Sequence, residues 1–225
     1  MTSIDGATGA RTELSATSLE NAAAKIANAL RDEFDLEAGA RVGLLLPLHW
    51  QRAAWCAGVW TAGCIVDLDA DATSVDLFVT TIDDAAGVTG PARRDVAVVS
   101  LHPFGLPLSE PLPDGSIDVT LAVRQQPDAY LFEPPSGDLS ALTCAGRTMS
   151  QQEVLDLART RAADWGLGTG GRLLASDDID LIDGWLAAVA VPLVADASVV
   201  LARNIADADQ LVGQERITAR ATSSG

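Results

Sequence analysis

The sequence predicts an α/β domain whose mainly parallel sheet is flanked by helices. Three observations predict it. Short continuous apolar runs, at Arg41–Leu46, Cys64–Asp69 and Ser198–Ala202, have the length and hydrophobicity of strands covered on both faces. Between them lie longer stretches with apolar residues at helical spacing. Short loops join the two kinds, so strand, helix and strand alternate as in βαβ units with right-handed crossovers.

Residues 1–12 are small and polar without periodicity and read as a flexible leader, with 13–225 as one α/β domain. Thr17-Ser18-Leu19-Glu20 fits a capping box, in which hydroxyl and carboxylate satisfy the first backbone donors of a helix. Leu19, Ala23, Ile26, Leu30 and Phe34 then form one apolar stripe. Gly39 ends the connection into the Arg41–Leu46 run, which Pro47 stops. A second helix is expected over Trp50–Thr61, with Trp50, Ala53, Ala54, Ala57 and Trp60 on one face, and Gly63 closes it before the Cys64–Asp69 strand. Ser74–Asp84 reads as helical and Asp95–Leu101 as a buried strand. Pro103, Pro107, Pro111 and Pro113 make 102–116 an irregular loop. Leu139–Thr143 reads as a strand, and Ser150–Trp165 as a helix with Val154, Leu155, Ala158 and Ala162 inward, ended by Gly166. Arg172–Ala175 is a short strand, Ile179–Val191 a helix and Ser198–Ala202 a strand. Ala206–Glu215 is a short helix before Ile217-Thr218.

Composition narrows the partners. The 225 residues are 48% hydrophobic and 20% charged, which suits a folded domain with a sizeable core. Acidic residues outnumber basic ones 31 to 15, for a net charge of −16 and a pI near 4.2. Nucleic acid is therefore excluded as a partner, because no basic footprint exists to neutralise phosphates. Anionic membrane surfaces repel such a chain, and no apolar run approaches the ~20 residues that cross a bilayer. Met1–Thr12 has neither the basic start nor the apolar centre of a signal peptide. Cys56, Cys64 and Cys144 lack the spacing of a metal site or disulfide framework, so reduced thiols in the cytoplasm are expected.

Chemistry-bearing patterns are few. Gly166-Leu-Gly168-Thr-Gly170-Gly171 has the letters of a dinucleotide fingerprint but follows a helix and precedes a strand, the reverse of the order that aims a helix N-terminus at a pyrophosphate. It reads as a connecting loop. Asp177, Asp178, Asp180 and Asp183 lack the spacing of a calcium loop and read as solvated acids at a helix start. His49 and His102 lie near prolines without an evident nucleophile or ligand partner and read as loop or packing residues. Lys25 is the sole lysine. No nucleophile elbow, Walker A loop, zinc-protease helix or Cys-x-x-Cys pair occurs.

Residues 13–71 nonetheless resemble the opening of the adenylate-forming superfamily of acyl-CoA and aryl-CoA synthetases. The resemblance is carried by Ala29-Leu30, Leu36-Glu-Ala-Gly39-Ala-Arg41-Val42 and Leu44-Leu-Leu-Pro47, then by Ala57-Gly58, Ala62-Gly63-Cys64-Ile-Val66 and Asp67-Leu68-Asp69-Ala-Asp71. Further on, Leu139–Gly146 is similar to the strand leading into the family's phosphate loop, Ser198–Leu201 to a later strand, and Gln214–Thr218 to the helix and strand after that. The resemblance implies an α/β fold like the first half of the family's large domain. It also implies a remnant of the phosphate loop at Thr143, Cys144, Gly146 and Arg147, the candidate ligand-binding residues.

The departures from the family matter equally. Thr143-Cys144-Ala145-Gly146 runs straight into Arg147-Thr-Met-Ser150, as if the Thr-Thr-Gly-x-Pro-Lys-Gly portion were deleted. Asp178–Gly184 replaces a segment where the family has an aromatic or histidine near its acyl substrate. The chain also lacks the ribose-binding aspartate, the hinge and the C-terminal lid with its lysine, and Lys25 does not match that role. Adenylation depends on preorganised positive charge around the transferring phosphoryl group, and each lost donor costs about 2.7–4 kcal/mol in the barrier. The expectation is a truncated, non-catalytic homologue, with no catalytic residue, metal or cofactor, that binds a small acyl or adenylate ligand, a protein partner or a second copy of itself. The alternative is a half-enzyme in acyl or aryl adenylation that uses ATP/AMP with Mg and is completed by a separate lid chain. A third reading is an assembly protein using an exposed face of Trp50, Trp55 and Trp60.

Overall fold

The computed structural model describes residues 1–88, 96–133 and 135–223. In chain order its elements begin with β1 (Thr2–Asp5), β2 (Ala10–Glu13), α1 (Ala16–Asp32), β3 (Arg41–Leu44), α2 (Trp50–Thr61) and β4 (Ile65–Asp67). They continue with β5 (Leu77–Thr80), α3 (Ile82–Ala85), β6 (Val96–Val98), β7 (Ser116–Asp118), α4 (Thr120–Arg124), β8 (Ser140–Cys144) and β9 (Arg147–Ser150). The last are α5 (Gln151–Asp164), β10 (Arg172–Ala175), α6 (Leu181–Ala188), α7 (Ala190–Val194), β11 (Ser198–Arg203), α8 (Ala208–Gln214) and β12 (Ala219–Arg220). The fold is α/β with mostly parallel sheets flanked by helices, as the alternating pattern predicts. The stretch read as one domain groups into two compact units, Met1–Thr17 with Pro47–Ala53 and Gln152–Gly225, and Ser18–Leu46 with Ala54–Gln151.

The first unit holds a five-stranded sheet in the order β12-β10-β11-β1-β2, parallel except between β1 and β2. The expected flexible leader at 1–12 is corrected here: β1 is an interior strand, with Thr2 opposite Val200 and Asp5 opposite Arg203. Its polar residues hide a strand because their partners are far along the chain. Arg172 Nη2 donates to Thr2 Oγ1 at 2.8 Å, while Arg203 Nη2 and Asn204 Nδ2 donate to the Asp5 carboxylate at 2.8 and 2.9 Å. Leu174, Val200, Ala202 and Leu211 form a core cluster, against which Ile4 and Ile217 pack. The helix expected over Ile179–Val191 is two helices, broken at Val189. Pro192 has no N–H to offer the Ala188 carbonyl, so the helical ladder is interrupted there.

The second unit holds a seven-stranded sheet in the order β7-β6-β5-β3-β4-β8-β9, parallel except for the final β8–β9 pair. α1 begins at Ala16, one residue before the expected Thr17 cap. α2 has the bounds its pattern predicts, and α1 and α2 approach closely at Gly58, where a Cβ would lie 2.5 Å from Ile26 Cγ2. The helix expected over Ser74–Asp84 is instead strand β5 followed by the single turn α3. Leu77, Phe78, Val79 and Thr80 are all buried between β3 and β6, a setting that favours aromatic and β-branched residues in extended form. β6 matches the strand read from Asp95 onward, although Asp95 itself lies outside the described residues. β7, α4 and β9 were not anticipated by any periodicity. The tryptophan face is also corrected: Trp55 is only 1% exposed and Trp50 and Trp60 are half-buried, with Trp60 Nε1 donating to the Ala141 carbonyl at 2.8 Å.

Candidate functional site

The stretch Thr143–Arg147, where a phosphate-loop remnant is expected, is a hairpin turn. β8 and β9 pair antiparallel, with Thr143 opposite Thr148 and Cys144 opposite Arg147, so only Ala145 and Gly146 connect them. Both have left-handed backbones, φ 51° and 72°, the combination that lets a two-residue turn follow the strand twist. Gly146 adopts this freely, whereas Ala145 does so at a steric cost. Thr143 and Cys144 are buried, and the Thr143 and Thr148 hydroxyls share a 2.9 Å hydrogen bond. Arg147 is exposed at the start of β9. All four candidate ligand-binding residues thus stand in or beside one tight turn.

The turn's two amides are already engaged. Ala145 N–H donates to Asp69 Oδ1 at 2.8 Å, and Gly146 N–H donates to Asp69 Oδ2 at 2.7 Å. Asp69 is delivered by the β4–β8 register, in which Asp67 lies opposite Thr143 and Leu68 N–H donates to the Thr143 carbonyl at 2.9 Å. Its backbone N–H donates to Asp67 Oδ1 at 3.1 Å, and the fully buried Asp67 carboxylate pairs with Arg41. Asp69 is the residue that sequence reasoning passed over. The signal was present as a short aspartate alternation after a strand, but its target lay more than seventy residues onward.

The remaining candidates are structural in their surroundings. Lys25 Nζ donates to the Gln126 carbonyl at 2.7 Å and the Arg124 carbonyl at 3.3 Å, and pairs with Asp128 at 2.7 Å. His49 is buried, its Nδ1 accepts from Gln51 N–H at 3.3 Å, and burial together with nearby Arg203 lowers its pKa to about 4. His102 is exposed, with Nδ1 accepting from Phe104 N–H at 3.1 Å. Gly166 to Gly171 connects α5 to β10, as read. Asp180 caps α6 by accepting from Asp183 N–H. Asp183, expected to be solvated, is instead fully buried and accepts from Arg161 Nε at 2.6 Å. A groove of about 430 Å³ beside the C-terminal ends of α1 and α2 is lined by Arg31, Asp35, Glu37, Tyr130 and Glu133 among others. Three carboxylates against one guanidinium make it a poor receptor for a polyphosphate.

No family model matches the chain. A TIGR03089 family protein of Mycobacterium tuberculosis (strain ATCC 25618 / H37Rv) is 38% identical over 226 residues, covering 96% of this chain and 86% of that protein. Among solved structures, an acyl-CoA synthetase of Brucella canis superposes with a TM-score of 0.76 at 20% identity, over 97% of this chain and 43% of its own. MatB from Rhodopseudomonas palustris in its apo form follows with a TM-score of 0.66, 18% identity and coverage of 96% and 44%. The anthranilate CoA ligase AuaEII in complex with anthranoyl-AMP gives 0.66, 14%, and 95% and 43%. The chain therefore has the acyl-CoA synthetase fold that its sequence resembles, over less than half the length of each of these structures.

Proposed function

The chain belongs to the TIGR03089 family, and from that premise we propose that it is a non-catalytic protein built on the adenylate-forming fold. It binds a small acyl-type ligand or a protein partner and does not adenylate. One observation carries this reading: where a long phosphate loop would stand, β8 and β9 are joined by two residues whose amides are held by Asp69. Stabilising a transferring phosphoryl group needs donors free to meet developing charge, and these donors already face a carboxylate. The sole lysine is tied to the 124–128 segment, which gives it no phosphate to meet. A reducing cytoplasm belongs to the same proposal, since Cys56, Cys64 and Cys144 are all buried and none is in a disulfide.

The test is ATP–pyrophosphate exchange by the purified chain with a panel of carboxylic acids. No exchange above background is expected, and no thermal shift with Mg·ATP. Exchange that disappears in Arg147→Ala would overturn the proposal. The second reading is a half-enzyme in acyl or aryl adenylation, supported by the fold it shares with the Brucella canis synthetase. In that reading ATP and Mg enter as substrate, and exchange would appear only on adding a separate chain that supplies the lid.

A further inference from the structure

The contact between Asp69 and the hairpin has the chemistry of a filled anion site. Two consecutive amides point to one side, each bonded to a different oxygen of one carboxylate at 2.8 and 2.7 Å. Successive backbone N–H groups in such a concavity are a recurrent oxyanion receptor, and hydrogen bonds to an ionised acceptor are about twice as strong as neutral ones. The occupant is not a neighbour in sequence, so local turn geometry does not explain it. Strand register brings Asp69 there, and its approach is fixed from behind by Asp67, itself held by Arg41.

We propose that the β8–β9 turn is an oxyanion site that the chain fills with its own Asp69 carboxylate, and that a free carboxylate or phosphate oxyanion takes this place only when Asp69 is removed. This rests on the reading that the turn holds no nucleotide, and it adds the reason: a tethered, preorganised carboxylate outcompetes any free anion. Asp69 acts as an internal ligand that keeps the turn shut.

The test is rescue of Asp69→Ala by acetate and by inorganic phosphate, with chloride at matched ionic strength as control. At an anion concentration ten times its Kd, the variant's unfolding temperature is expected to rise by about 3–6 °C over the chloride control. The Ala145 and Gly146 amide resonances should move with it, while the original chain shows neither response. Equal responses in both proteins would mark a general salt effect and overturn the proposal. Unmoved amides in the variant would also overturn it, leaving Asp69 a simple tether. Should Asp69→Ala not fold, Asp69→Asn keeps the shape without the charge. The same two resonances must then titrate with phosphate, and their failure to do so overturns the proposal equally. Nucleotide exchange by the original chain would instead overturn the non-catalytic reading, so the two failures are distinguishable.

Discussion

Among single residues, His49 bears most directly on how the chain responds to acid. Its imidazole is buried, and burial together with the Arg203 charge lowers its pKa from 6.5 to about 4, against a partial opposing pull from Asp5. The unfolded chain takes up this proton near pH 6.5 and the folded chain does not. The folded state therefore keeps its full margin above pH 6.5 and loses it as the pH falls towards 4, by up to about 3 kcal/mol at 1.36 kcal/mol per unit. Denaturant titrations of the original chain and His49→Asn between pH 7 and 4 should diverge in that window. Parallel curves would show that His49 contributes no such term. Glu215 acts in a lower window: hydrogen bonds from Arg11 and then Arg172 depress its pKa from 4.5 to about 2. Its contribution is present above pH 4.5 and lost between 4.5 and 2.

At the scale of elements, α1 acts as a clamp on the segment after α4. Besides the three Lys25 contacts, Asn28 Nδ2 donates to the Pro127 and Ala129 carbonyls at 3.2 and 3.1 Å, and Gln126 Nε2 donates to Glu33 at 3.0 Å. This segment has no ladder of its own, so side chains of α1 satisfy its carbonyls. Lys25→Met keeps the aliphatic stem and removes the charged donor. It should cost about 1–3 kcal/mol in urea unfolding, the usual loss for hydrogen bonds to charged groups, and speed amide exchange over 124–129. A loss under about 0.5 kcal/mol would show that Asn28 and the Gln126–Glu33 hydrogen bond hold the segment without Lys25.

For the whole molecule, the net charge of −16 governs behaviour in solution. Excess like charge favours solubility but opposes the compact state through self-repulsion. Raising NaCl from about 10 to 150 mM shortens the Debye length from about 30 to 8 Å, which should raise the unfolding temperature at pH 7. A fall instead would show that attractive pairs such as Arg161–Asp183 and Arg172–Glu215 outweigh the repulsion. No helix among the described residues is long and apolar enough to cross a membrane.

Local pattern alone determined much of this protein. α2 was legible from its stripe and closing glycine, β10 and β11 from apolar runs, and α5 from its spacing and Gly166, because period and punctuation are properties of neighbouring residues. Only the tertiary structure decided that Thr2–Asp5 is an interior strand, that Leu77–Thr80 is a strand rather than a helix, and that Asp69 closes the hairpin. Each of these depends on a partner far along the chain, Arg172 and Arg203 for β1, β3 and β6 for β5, and Ala145 and Gly146 for Asp69. Strand register and burial create those pairings, and neither is written in the periodicity of any one segment.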